Sequence, residues 1–190
     1  PPGSLPAGVT VPAQLPVDVR GFAGRADELA QLDALATTVG RDATSVVVAT
    51  IAGPAGVGKT TLAVHWAYRV AGQFPDGQLY VNLRGFDPGG AAMDPADAVR
   101  GFLDALAIPR DRIPTDRTAQ VALYRTVLSD RRMLVVLDNA RDSEQVRPLL
   151  PGSPGSLVLV TSRNQLTSLV TATGAHPLPL DLLGADEARD

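Results

Sequence analysis

The stretch Gly53-Pro54-Ala55-Gly56-Val57-Gly58-Lys59-Thr60 fills every fixed position of the pattern G-x-x-x-x-G-K-[ST]. Residues 46–52 before it are β-rich and almost wholly apolar, as in a strand covered on both faces. After it, 60–71 takes helical spacing, with Leu62, Trp66 and Val70 four apart and Ala63 and Ala67 beside them. A strand, a glycine-rich turn and a helix in that order form a cradle for polyphosphate. Backbone N–H groups must approach the anion closely, so the turn needs glycines, and the helix start adds partial positive charge. Lys59 is then expected on the β- and γ-phosphates and the Thr60 hydroxyl on magnesium. Of 17 basic residues, Lys59 alone is lysine. A compact ammonium fits where the planar fork of arginine would not.

Outward from this loop, strand and helix signals alternate. Strands are expected at 46–52, 79–83, 133–137, 157–161 and 178–180. Helices are expected at 25–39, 60–71, 95–107, 116–129, 143–150 and 165–170, with a glycine-rich loop at 85–90. Such alternation predicts an α/β fold of three layers, a parallel sheet with helices on both faces. The strand Leu134-Val135-Val136-Leu137 runs into Asp138, the carboxylate that a magnesium-bearing phosphate loop requires from a neighbouring strand. Capping a helix near Ser143 is the alternative role for Asp138. The following residue is Asn139, which cannot take a proton at neutral pH; Asp142 and Glu144 are the nearest other acids. Arg163 follows the strand 157–161 at the sheet edge where α/β proteins bind ligands, placed to meet a γ-phosphate unless it only opens the next helix. Lys59, Asp138 and Arg163 are thus the candidate catalytic groups, and Thr60 and Asp138 the candidate metal ligands. His65 and His176 have no partners at ligand spacing and are assigned to no metal.

Composition narrows the class. Hydrophobic residues are 45% and charged ones 19%, enough for a core and unlike a disordered tract. Net charge is −3, and no more than two basic residues adjoin (Arg131-Arg132), so a nucleic-acid surface is not expected. Apolar runs fall far short of the roughly 20 residues that span a bilayer, no signal segment opens the chain, and cysteine is absent. A cytoplasmic setting without membrane contact is expected. Residues 1–19 hold five prolines and no helical period and are expected to be an extended arm. The chain lacks an initial methionine and is expected to be part of a longer one.

Four stretches together resemble a family. Phe22-Ala23-Gly24-Arg25-Ala26-Asp27-Glu28 is similar to an hhGRxxE motif, 53–61 to its phosphate loop, 133–140 to its acidic strand in Asp-Asn form, and 157–163 to its sensor strand. The sequence resembles the NB-ARC module of STAND-class signal-transduction ATPases, and more narrowly that of antibiotic-regulatory (SARP-type) bacterial transcriptional regulators. Gln78 to Pro88 (QLYVNLRGFDP) is similar to the second strand and loop of those regulators. The resemblance covers 20–183 as the nucleotide-binding domain and implies a phosphate-loop NTPase fold with strand order 5-1-4-3-2. It implies that 184–190 begin a helical ARC region. It further implies ATP or ADP with magnesium, held by Phe22, Ala23 and Arg25 at adenine and by Gly53, Gly56, Val57, Gly58, Lys59, Thr60 and Thr61 at the phosphates. Implied partners are a DNA-binding domain upstream, a sensor or repeat domain downstream, and a second copy in the ATP state. With Asn139 after Asp138, at most slow hydrolysis is expected. The residues alone leave two other functions open: a small-molecule phosphotransferase, and an interaction module holding ADP as a structural cofactor.

Overall fold

The computed structural model describes residues 11–40 and 45–182; the expected helix start at 184–190 and the first half of the arm lie outside them. Among the described residues eleven α-helices and strands occur, alternating except where α4 follows α3: α1 (Ala26–Ala36), β1 (Val47–Ala52), α2 (Lys59–Val70), β2 (Gln78–Asn82), α3 (Pro95–Ala105), α4 (Arg117–Leu128), β3 (Leu134–Ala140), α5 (Ser143–Val146), β4 (Leu157–Ser162), α6 (Thr167–Thr173) and β5 (His176–Pro179). All strand pairs are parallel, in the order β2-β3-β4-β1-β5, the expected 5-1-4-3-2 read from the other edge.

Successive side chains of a strand point to opposite faces, and the core divides accordingly. Val135, Leu137, Val158 and Val160 pack with α3, α4 and α6 through Phe102, Tyr124, Leu128 and Leu169. Leu134, Val136, Leu157 and Leu159 pack on the other face with α1 and α2 through Leu32, Leu62, Trp66 and Val70. Sheet burial on both sides explains why β3 and β4 read as unbroken apolar runs.

The ends of elements depart from expectation where local chemistry intervenes. Helix α1 stops at Ala36 rather than 39; Val39 is still buried, but Thr37 and Thr38 turn their hydroxyls back to the Ala34 and Leu35 carbonyls. The expected helix 143–150 is one α-turn followed by a 3-10 turn, because Pro148 lacks the N–H that would continue it. Helix α6 begins at Thr167 rather than 165, after Leu166 in the left-handed region at φ 48°. β5 lies two residues earlier than expected at its start, and Leu180 closes it by donating its N–H to Ala52 O (2.7 Å).

The arm from Pro12 onward is docked. Ala13 pairs in parallel with Gln78 at the sheet edge, Gln78 N donates to Pro12 O, and Gln14 N donates to Gln78 O. Leu15 packs against the α1–α2 core, and Asp18 meets His65 on α2 at 3.2 Å. Among the described residues no helix is long and apolar enough to cross a membrane.

Candidate functional site

The phosphate loop joins β1 to α2 where the carboxyl ends of β1, β3 and β4 converge. Gly56 and Gly58 hold φ of 77° and 93°, torsions that favour glycine. Gly53 is glycine for a different reason: a Cβ there would lie 2.3 Å from Leu180 O, so the strand end β5 abuts the loop directly. The Val57 side chain is buried in the core, so only its backbone faces the loop. Lys59 Nζ donates to Gly53 O (2.8 Å) and Pro54 O (2.6 Å), arching back over the loop. Burial, and then the charge of Arg163, push its ammonium below the ordinary value against the pull of Asp138. A cation so placed gains from an added anion.

Asp138 is buried to 3% exposure and sits at a break in the β3–β4 ladder, whose register shifts between Leu137 and Ala140. Asn139 takes φ 57° there, a torsion asparagine tolerates better than most residues, and its N–H is accepted by Thr161 Oγ1 (2.9 Å). The Asp138 carboxylate accepts from Thr60 Oγ1 (2.7 Å) and Thr161 Oγ1 on one oxygen and from Tyr80 OH (3.1 Å) on the other. Burial, then the Asp138 charge and hydrogen bond, push the Tyr80 phenol up, so it stays a donor. Asp138 does not cap a helix; Asp142 caps α5 by accepting from Gln145 N.

Lys59, Thr60, Thr61, Tyr80, Asp138, Asn139 and Arg163 share one open cavity of about 530 Å³. Hydroxyl and carboxylate oxygens beside room for phosphate and water suit magnesium, a hard ion that keeps several waters. No group of three or more His, Cys, Asp or Glu that could hold a metal occurs among the described residues, so a metal here would draw its other ligands from phosphate and solvent. A second cavity of about 650 Å³ opens past Pro54, between β5 and α6, and Arg163 lines both. The Arg163 guanidinium lies 5.1 Å from the ring centroid of Phe86, in the loop 85–90. Gln145 ties the two ends of that loop, donating to Leu83 O and Met93 O (both 2.9 Å).

Arg25 is placed differently from its expected role. At φ 62° and 6% exposure, its guanidinium donates to Val57 O (3.3 Å) and Asp181 O (2.6 Å) and pairs with Glu28. It clamps the phosphate loop to the chain after β5 and is not presented to open space. Phe22 stacks on His65 at 4.2 Å between ring centroids. Asp142 and Glu144 are paired with Arg141 and Arg147. Burial disfavours ionised Asp142, yet hydrogen bonds from Arg141, Gln145 N and Glu144 N, with the Arg141 charge, prevail and hold its carboxyl below the ordinary range. Tyr80, Thr161, Gln145 and Phe86 were missed by sequence reading, although the stretches 78–88 and 157–163 that host Tyr80, Phe86 and Thr161 had stood out.

Comparison with known proteins supplies the lineage. The sequence is 48% identical over 180 residues to "Regulatory protein AfsR" of Streptomyces coelicolor, and 46% identical over 178 residues to the protein of that name in Streptomyces griseus. Each alignment takes in 93% of this chain and 18% of the relative, so the chain spans under a fifth of their length. In structure it is similar to Cdc6p from Pyrobaculum aerophilum (TM-score 0.63, 19% identity, 96% of this chain and 49% of that one), a likeness of fold. Residues 30–190 match the NB-ARC domain. With the phosphate loop, the acidic strand and the sensor strand meeting at one cavity, the chain belongs to the NB-ARC domain family.

Proposed function

We propose that this domain, residues 20–183 with the docked arm before it, is an ATP/ADP-binding switch within a signal-transducing transcriptional regulator. The observation that carries the reading is the one cavity that Lys59, Thr60, Asp138 and Arg163 line together. Backbone N–H groups of 53–61 would wrap the phosphates, and Thr60 and Asp138 would hold magnesium, which screens phosphate charge. Arg163 would meet the γ-phosphate. Phe22, Ala23 and Arg25 would bound the base, with the Arg25 guanidinium holding that wall in place through the Val57 and Asp181 carbonyls. Asn139 beside Asp138 leaves no general base, a step typically worth 10²–10⁴-fold, so hydrolysis is slow and the ATP state long-lived.

The likeness to proteins named as regulatory supports a regulatory setting within a longer chain. In that full protein, DNA-binding and sensor domains would lie elsewhere, and the ATP state would self-associate. Such a switch would act in the cytoplasm. Lys59→Ala tests the reading: calorimetric titration should show ATP-magnesium affinity reduced at least tenfold, about 1.4 kcal/mol, in a protein that still melts cooperatively. Unchanged affinity would remove the phosphate site. Turnover of labelled ATP separates the switch from a domain that keeps ADP without ever exchanging it.

A further inference from the structure

We propose that Tyr80 is a positioning residue for the metal side of the site, its hydroxyl fixing the Asp138 carboxylate against rotation. This rests on the nucleotide-magnesium reading above.

The carboxylate is almost fully buried, yet none of the ion pairs among the described residues includes it. Hydroxyls hold it instead, and they are not equivalent. Oδ1 accepts from Thr60 and Thr161, while Tyr80 OH is the donor to Oδ2. Thr161 is itself fixed, since its oxygen accepts the Asn139 N–H while its proton goes to Asp138. A divalent cation would be met by a lone pair of Thr60 Oγ1, which leaves the hydroxyl proton free to stay on Asp138. Oδ1 thus has two hydroxyl donors, whereas Oδ2 has Tyr80 alone. Without the phenol, one oxygen of the buried carboxylate has no protein donor, and the group can turn about its Cβ–Cγ bond away from the metal.

Tyr80 is itself supported from outside the site. It lies on the edge strand β2, two register positions before the Asn82–Asp138 pair. Its N–H donates to the Gln14 side chain of the docked arm (3.3 Å). The ring packs against the α1–α2 core. Tyr80→Phe keeps that ring and removes only the hydroxyl.

The experiment compares wild type and Tyr80→Phe in three measurements: thermal melting, ADP affinity in EDTA by calorimetry, and Mn²⁺ affinity of the ADP-saturated protein by loss of the free-Mn²⁺ paramagnetic resonance signal. The expected result is Mn²⁺ affinity about tenfold weaker, the scale of one hydrogen bond to a charged group. ADP affinity in EDTA should stay within twofold and melting should remain cooperative. Mn²⁺ affinity within twofold of wild type overturns the proposal. So does an equal loss of ADP affinity with and without metal, which marks a packing role. If wild type itself binds no ADP, the nucleotide reading fails, an outcome distinct from a variant that binds ADP normally and keeps its metal.

Discussion

Gly53→Ala perturbs the point where the phosphate loop leaves β1. A Cβ at this position would lie 2.3 Å from Leu180 O, 3.3 Å from Leu180 C and 3.3 Å from Val57 Cγ1. The first contact is about an ångström too short for carbon against oxygen. Nothing there yields readily. Leu180 N donates to Ala52 O (2.7 Å), the Leu180 side chain is in the core, and the next carbonyl is held by Arg25 (2.6 Å). Overpacking costs about 1–3 kcal/mol, and obstruction by backbone belongs in the upper part, about 2–3 kcal/mol. At 2–4 °C per kcal/mol for a chain this size, Tm falls by about 4–12 °C. Gly56→Ala is the control. Its φ of 77° strains any Cβ, but nothing lies within 4 Å, so only the left-handed cost of about 1 kcal/mol applies. Melting both variants without nucleotide by scanning calorimetry compares a collision with a torsion. Gly53→Ala should also weaken ADP binding, because Gly53 O holds Lys59 in place. A Gly53→Ala variant that melts within 2 °C of wild type, or above Gly56→Ala, would show that β5 yields and that the loop is not braced by it.

Two further outcomes are expected. Asn139→Asp supplies an acid of nearly equal size at a φ of 57° that aspartate also tolerates, and should raise the turnover of labelled ATP while leaving affinity within a few-fold; loss of what activity exists would refute the role given to Asn139. Asp142→Asn keeps a competent N-cap for α5 and removes only the charge, so it isolates the depressed carboxyl pKa. The stability that the charge contributes is full above the ordinary value of 3.8 and lost as pH falls through the lower folded value. Wild type should therefore melt slightly above Asp142→Asn at pH 7, by a small margin because Asp142 is 41% exposed, and the gap should close below pH 3.8; a gap independent of pH would refute the account.

Much of this protein is written locally. The strand–glycine loop–helix unit at 46–71, the apolar runs ending in Asp138 and Arg163, and the alternation that makes a parallel sheet follow from spacing within a few residues. Residue type sufficed there because backbone torsion, helical period and strand burial act over that range. The ends of elements were less legible, since hydroxyls at Thr37 and Thr38 and the missing N–H of Pro148 settle them by small energy differences. The candidate site was legible as a set of residues but not as an arrangement. That Arg25 serves as a clamp depends on carbonyls 32 and 156 residues away, and that Tyr80 braces Asp138 depends on two strands 58 residues apart coming into register. The arm reads as linker because its prolines and lack of period say nothing about the free edge of β2, which supplies the partners it needs. Sequence by itself determined which groups can do chemistry, through their identity and the local geometry of the loop. Only the tertiary structure decided which of them meet, because hydrogen bonds and contacts between distant segments form at the positions the packed sheet brings within reach.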